Sequence, residues 1–197
     1  SELEVVIAGD YEDQKDMFAD LITLMVLIII LVYMVMASQF ESFMSPFVIM
    51  FSVPFAFVGV ILGLWLTNTA LGVMAMIGIL ILIGIVVKNG IVLIDYLILL
   101  RERGMGILDA AVAAARSRLR PILMTTLTTV LGMIPMAIGT GEGSEMWKSL
   151  GITVAWGLSI STVVTLVLIP TIYCVFATRQ EKNKQKKLAK KAAALKA

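Results

Sequence analysis

Histidine is absent from this 197-residue chain, and cysteine occurs only once. Without imidazole, catalytic triads and zinc sites that use histidine are excluded, and the lone Cys174 cannot form an intramolecular disulfide. Charge is also scarce, since 15% of the residues are charged, whereas a soluble domain has about a quarter. Hydrophobic residues make up 59% of the chain. The composition therefore predicts a multi-pass membrane protein and predicts no metal site.

Five apolar segments are long enough to cross a membrane, which takes about 20 residues in a helix. No charged residue lies between Leu21 and Phe40, and none lies between Glu41 and Lys88. We predict an all-α bundle of five transmembrane helices, at about 18–38, 46–66, 71–100, 120–138 and 149–177.

The segments that flank these spans are short. Residues 1–17 are predicted to be the stub of an external domain, with a short strand over 2–8 and a polar helical lead-in to the first span. A strand without a partner, in a chain that opens with Ser1, indicates a piece of something longer. The alanine-rich segment 107–117 is predicted to be a short helix on the cytoplasmic surface.

Basic residues fix the orientation through the positive-inside rule. Five arginines lie in 101–120, and the tail over 179–197 carries one arginine and seven lysines. An odd number of spans puts the acidic N-terminus on the opposite side from both segments. We therefore expect a periplasmic N-terminus and a cytoplasmic C-terminus. The tail is interpreted as a solvated segment that favours anionic lipid, and no nucleic-acid partner is expected.

Lys88 lies near the middle of the third predicted span. An ammonium group in hydrocarbon costs roughly 3 kcal/mol on insertion scales, so it is kept where it meets a carboxylate or a water-filled path. This favours a proton or ion relay, and the alternative is a lysine that snorkels to the membrane surface. Asp95 shares the Lys88 face about 10 Å along the helix, whereas Asn89 lies on a different face. Both are candidates for a secondary polar seam, and a structural role is the alternative for Asp95.

Arg118 and Thr125 are seven residues apart and share a face of the fourth span. The arginines before the span also fit a cytoplasmic anchor, and most threonines in a membrane helix bond to carbonyls of their own helix. A hydroxyl that faces Lys88 would instead orient a water or a proton. Gly59 and Gly63 form a GxxxG pattern, which predicts close helix packing and no chemistry.

Several longer motifs follow one another between Val5 and about Thr178. They are Ala37-Ser38-Gln39-Phe40-Glu41-Ser42 with Pro46, Gly84-Ile85-Val86-Val87-Lys88-Asn89-Gly90-Ile91-Val92-Leu93-Ile94-Asp95, Arg118-Leu119-Arg120-Pro121-Ile122-Leu123-Met124-Thr125-Thr126, Gly132-Met133-Ile134-Pro135, Gly139-Thr140-Gly141 and Ile169-Pro170-Thr171. In order and spacing they resemble the C-terminal membrane region of resistance-nodulation-division (RND) inner-membrane efflux pumps, in the hydrophobe/amphiphile efflux branch.

The resemblance implies a homotrimeric proton/drug antiporter in a bacterial inner membrane. Such a pump runs on the proton-motive force without another cofactor, and it works with a periplasmic adaptor and an outer-membrane channel. A family protomer has twelve spans, so the resemblance implies that an N-terminal half with an aspartate pair is missing here. Lys88 matches the lysine that meets those aspartates, and Arg118 and Thr125 match residues on the same proton route.

Four alternatives remain. The Lys88-Asn89-Gly90 motif speaks against the heavy-metal efflux branch, and the Arg-Leu-Arg-Pro region at Arg118 speaks against a protein-translocation accessory. A membrane scaffold without transport activity predicts no effect of Lys88→Ala even with the missing half supplied. An intramembrane enzyme needs a second acid or a histidine beside Asp95, and the chain is therefore predicted not to be an enzyme.

Overall fold

In a computed structural model, the backbone is described for residues 2–139, 141 and 143–194, and the side chains for 12–139, 141, 143–182 and 186. Every regular element in this part of the chain is an α-helix, and five stretches are long and apolar enough to span a membrane. The helices are α1 Glu2–Phe40, α2 Met44–Met50, α3 Val53–Leu66, α4 Val73–Glu102, α5 Ile107–Ile138 and α6 Ser144–Ala194. The prediction of an all-α bundle with five spans is confirmed.

The strand predicted over residues 2–8 is wrong, because these residues form the first turns of α1. A strand needs neighbours to pair its backbone groups, and an isolated strand or hairpin has little stability in water. A helix pairs the same N–H and C=O groups within the segment. The polar lead-in and the first span are therefore one continuous helix.

The second predicted span is interrupted near its middle. Pro54 has no N–H to donate to the carbonyl of Met50, and the helix breaks at Phe51 and Ser52. The break is stabilised locally, since both the backbone N–H and the hydroxyl of Ser52 donate to the carbonyl of Ile49, at 3.0 and 2.7 Å. Together α2 and α3 still provide 23 residues, enough for one span.

The surface helix predicted over 107–117 is not a separate element, because α5 runs from it into the fourth span without interruption. Alanine is the strongest helix former, so this segment adds turns to the span rather than ending before it. Pro121 and Pro135 lie inside α5, and prolines are tolerated in membrane helices where neighbouring groups satisfy the freed carbonyls. The last helix likewise continues beyond the predicted span into the basic tail, as far as Ala194.

Tight turns make α3, α4 and α5 antiparallel neighbours. After α4, Gly104 adopts φ +89° and donates its N–H to the carbonyl of Arg101 at 3.0 Å, while Met105 donates to Leu100 at 3.2 Å. This pair of bonds is the Schellman motif, and glycine occupies the left-handed position without steric strain. Asn68 takes the same left-handed position after α3, with φ +51°.

The core is built around α4 and α6. All five other helices contact α4, and α6 packs against α2, α3, α4 and α5. Glycines allow the close approach of α3 and α6. A Cβ on Gly59 would lie 3.0 Å from the Cα of Gly157, and one on Gly63 would lie 2.5 Å from the side chain of Trp156. The GxxxG pair therefore lies in a helix interface.

Candidate ion-relay site

One stripe of α4 is uncovered although every other helix contacts α4. Neighbouring positions around it, such as Val86, Val87 and Gly90, are buried. The exposed positions follow one face of the helix, at spacings of three, four and seven residues: Ile81, Gly84, Lys88, Asp95, Leu99 and Glu102. Lys88 and Asp95 therefore lie on the same open face, about 10 Å apart along the axis.

Lys88 makes no hydrogen bond and no ion pair with any side chain that the structure describes. Asp95 instead lines a cavity of about 310 Å³ near the end of the bundle, together with Glu41 and Glu102. Asn89 is buried on a different face of α4. The structure thus places Lys88 and Asp95 on one face without contact, and it separates Asn89 from both.

Arg118 packs against α4 beyond Asp95. Its guanidinium carbon lies 4.7 Å from the centroid of the Tyr96 ring, within the range of a cation–π contact. The Nε atom of Arg118 is buried and has no hydrogen-bond partner among the described residues. Tyr96 follows Lys88 by eight residues, so Arg118 lies about 12 Å along α4 from the lysine. The two cations are therefore at different depths in the bundle.

Thr125 lies closer than Arg118 to the depth of Lys88 in the bundle. It follows Arg118 by seven residues, or about 10 Å, in a helix antiparallel to α4. Its hydroxyl donates to carbonyls of its own helix, to Ile122 at 2.9 Å and to Pro121 at 3.2 Å. The side chain is exposed, so the oxygen of Thr125 can still accept a hydrogen bond from a water or another donor.

The contact between α5 and α6 contains a hydrogen bond that spacing along the sequence does not reveal. Thr126 and Thr162 are both buried, and their hydroxyl oxygens are 3.0 Å apart. The sequence predicts that most threonines of this span bond to carbonyls of their own helix, and Thr126 differs from that expectation. A signal was available in the chain, since α6 also carries hydroxyl residues in its apolar part, but their pairing across two helices is set by tertiary packing.

We expect the hydrogen bond between Thr126 and Thr162 to add only about 0.6 kcal/mol to the free energy of unfolding. Interhelical hydrogen bonds in membranes have a mean coupling energy of about 0.6 kcal/mol, so a double-mutant cycle of Thr126→Val and Thr162→Val should give a value of this size. Unfolding titrations in mixed micelles measure it. Thr129→Val is the control, because Thr129 bonds only to the carbonyl of Thr125. A coupling energy indistinguishable from zero would contradict the bond.

The ends of α4 and α6 are joined by an ion pair. Arg101 in the last turn of α4 donates to the carboxylate of Glu181 at 2.5 Å, and both side chains are partly exposed. Partly exposed pairs of this kind contribute about 0–1 kcal/mol. The pair positions the basic end of α6 beside the α4–α5 turn. Among the described residues there is no group of three or more acidic or cysteine side chains that could hold a metal ion.

A family profile for the AcrB/AcrD/AcrF permeases matches residues 2–177. The chain belongs to this RND family. It is also 42% identical over 176 residues to the swarming motility protein SwrC of Bacillus subtilis strain 168, a match that covers 89% of the chain and 17% of SwrC.

Two crystal forms of a heavy metal efflux pump have the same fold in this region. Form II aligns with a TM-score of 0.77 at 31% identity, and form I with a TM-score of 0.73 at 32% identity. Each alignment covers 85% of the chain and 16% of the pump. The chain therefore spans about one sixth of the length of these relatives. It matches one membrane region of these RND-family proteins, and its five apolar helices fit a multi-pass membrane protein.

Proposed function

We propose that this chain is the C-terminal membrane part of a proton-driven drug antiporter of the hydrophobe/amphiphile branch. The observation that carries the proposal is the position of Lys88 on the uncovered stripe of α4. An intramembrane ammonium group is costly unless a carboxylate or water meets it. The described helices bring no acid within ion-pair distance of Lys88, so its partner belongs to a surface that docks on this stripe.

The partner we propose is an aspartate pair on a helix of the N-terminal half. While the aspartates are ionised, the ammonium group of Lys88 is held between them. Proton binding neutralises an aspartate, weakens its attraction for Lys88 and changes the preferred distance between the two halves. Arg118 and Thr125 lie on the neighbouring helix, where the cation of Arg118 favours ionised acids and the hydroxyl of Thr125 accepts from a water. No cofactor besides the proton-motive force is required.

The cellular setting is proposed on the charge distribution and the family. The chain would lie in a bacterial inner membrane with its N-terminus in the periplasm, because the basic residues cluster in 101–120 and in the tail. The full pump would be a homotrimer that works with a periplasmic adaptor and an outer-membrane channel. Substrate choice would reside in segments outside this chain, since the chain spans about one sixth of its relatives.

Heavy-metal export is the second candidate function. It is favoured by the two crystal forms of a heavy metal efflux pump, which match the fold at 31% and 32% identity. The Lys88-Asn89-Gly90 segment favours the drug branch. In both candidate functions this chain would supply the same membrane part, and only the exported substrate would differ.

Complementation separates these functions. The chain is co-expressed with the N-terminal half and periplasmic segments of a related drug pump, in cells whose own pumps are deleted. We expect proton-dependent export of a fluorescent dye that stops when an uncoupler dissipates the proton gradient. Parallel growth tests on zinc and copper salts, with the complementary segments of a metal pump, test the second candidate. A chain that inserts and co-purifies with either half but supports no export would establish a scaffold without transport activity.

A further inference from the structure

Two cavities meet near the α3–α4 turn, at the end of the bundle opposite the Arg101–Glu181 pair. The first, here called the polar cavity, has a volume of about 510 Å³ and a mixed lining in which Asn68, Thr69 and Glu145 lie among apolar side chains. The second has a volume of about 450 Å³ and a mostly apolar lining that includes Ile134 and Trp156. Both are lined by Thr67 and Lys148. The two spaces are therefore adjacent, one with a mixed and one with an apolar lining, and a hydroxyl and a cation lie where they meet.

The polar cavity has a rigid wall. The Schellman motif at the end of α3 is closed by the N–H of Asn68 on the carbonyl of Trp65 at 3.2 Å and the N–H of Thr69 on Leu64 at 2.9 Å. The hydroxyl of Thr67 donates to the carbonyl of Gly63 at 2.8 Å and lies 3.0 Å from the hydroxyl of Thr69. This turn is held by its own bonds and does not depend on a ligand.

Opposite charges face this space from α6. Glu145 and Lys148 are three residues apart in the first turns of the helix and thus lie on neighbouring positions of one face. They form no ion pair with each other, and Lys148 has no ion-pair partner among the described side chains. Glu145 lines only the polar cavity, whereas Lys148 also reaches the apolar one. A ligand with a negative group near its chain and a positive group farther out would match this order.

The apolar cavity continues from Lys148 into the membrane part of the bundle. It runs between α5 and α6, and its walls are the side chains of Val130, Ile134, Ala137, Ile138, Ile152, Ala155 and Trp156. These residues extend over about two turns of α5, or about 12 Å, and about one turn of α6. The volume of 450 Å³ lies in the range of sites that bury a small ligand. An acyl chain is the apolar group that a bilayer supplies at this depth.

We propose that these joined cavities bind one zwitterionic phospholipid with an ethanolamine head group. Its phosphate would lie at Lys148 and Thr67, its ammonium group at Glu145, and one acyl chain between α5 and α6. The charge order favours this lipid over phosphatidylglycerol, which offers no cation to Glu145. It also favours ethanolamine over choline, since a quaternary ammonium group has no N–H to donate to the carboxylate. The site is remote from Lys88 and independent of the relay.

Tryptophan quenching tests the site, because Trp156 lines the apolar cavity and Trp65 lines neither cavity. The full chain with Trp156 as its only tryptophan (Trp65→Phe and Trp147→Phe) is placed in phosphatidylcholine nanodiscs. Lipids with brominated acyl chains are titrated in, carrying an ethanolamine, choline or glycerol head group. We expect half-maximal quenching of Trp156 at an about twofold lower fraction of the ethanolamine lipid, as the one partly exposed charge contact that differs between the head groups would give. A chain with Trp65 alone should show no preference.

Three variants separate head-group recognition from the groove itself. Glu145→Gln should abolish the preference for the ethanolamine lipid, because it removes the contact that distinguishes the head groups. Lys148→Gln should weaken quenching by all three lipids and leave their order unchanged, because each carries the phosphate. Ala155→Leu retains both charges and fills the groove, so it should reduce quenching of Trp156 by every lipid. Circular dichroism shows whether each variant is still helical. Equal quenching by the three head groups, a stronger effect of the glycerol lipid, or a preference that survives Glu145→Gln would overturn the proposal.

Discussion

Proton-driven export by the reconstituted pump is expected to fall by about a hundredfold or more when Lys88 is replaced by alanine. Removing one member of a buried ion pair leaves the other charge without a partner and costs about 3–5 kcal/mol. Here the charges left behind would be the ionised aspartates of the other half. Without Lys88 the aspartates favour their neutral forms, so proton binding and release no longer change the distance between the halves. Initial rates of dye efflux at a fixed proton gradient measure the loss.

Two further variants give this experiment its controls. Lys182→Ala removes an exposed lysine at the end of the apolar stretch of α6, and it should leave the efflux rate unchanged at equal expression. Lys88→Arg retains a positive charge, but its guanidinium group is always protonated and demands a planar partner. If Lys88 acts as a compact ammonium between two carboxylates, the arginine variant should lose most of the activity while still assembling. Normal proton-coupled efflux by Lys88→Ala would refute the relay.

The five spans were predictable because hydropathy over about 20 residues depends on composition and not on tertiary contacts. The ends of the helices were less predictable. Residues 2–8 look like a strand in isolation, but the part of the chain that the structure describes holds no strand to pair with them, and they extend α1 instead. The break at Ser52 depends on Pro54, whose cost to a helix the hydropathy average does not register. Alanine-rich residues 107–117 joined the span because nothing between them and Pro121 ends a helix.

The site was predictable in part, for a geometric reason. Spacing along a helix reports which residues share a face, so the common face of Lys88 and Asp95 follows from the seven-residue interval. Contacts between helices depend on how each helix is rotated about its axis and shifted along its neighbour. The sequence of a single helix does not specify either. The packing of Arg118 on Tyr96 and the bond between Thr126 and Thr162 are contacts of this kind. The uncovered stripe of α4 also required the tertiary structure, since it appears only once all the other helices are placed.

The stability of the α5–α6 contact is expected to depend on the absence of a side chain at Gly151. A Cβ added there would lie 2.9 Å from the backbone nitrogen of Ala137 and 3.2 Å from both its Cα and the carbonyl oxygen of Met133. All three are backbone atoms, so no side-chain rotation relieves the overlap. Overpacking of this kind costs about 1–3 kcal/mol. We expect Gly151→Ala to lower the free energy of unfolding by about 2 kcal/mol, and Gly151→Val to lower it further.

A glycine on the open side of α5 gives the opposite expectation. Gly132 lies in α5, and a Cβ added there meets nothing within 4 Å. Alanine is favoured over glycine in a helix by up to about 1 kcal/mol, so Gly132→Ala should leave the chain as stable or make it more stable. Unfolding by SDS titration in mixed micelles, followed by circular dichroism, measures both variants. If Gly151→Ala and Gly132→Ala changed the free energy of unfolding equally, Gly151 would be replaceable and α5 and α6 would not be closely packed there.

The register of the two helices explains why this small change should matter. Gly151 meets Ala137 near one end of the α5–α6 contact, and Thr162 meets Thr126 eleven residues farther along each helix. Eleven residues are close to three full turns, so both contacts lie on one face of each antiparallel helix. A side chain at Gly151 would separate α5 from α6 along the seam that holds Thr126. Because Arg118 and Thr125 are carried by the same α5, Gly151→Ala should also reduce export in the reconstituted pump, whereas Gly132→Ala, if its open side stays free in the assembly, should not.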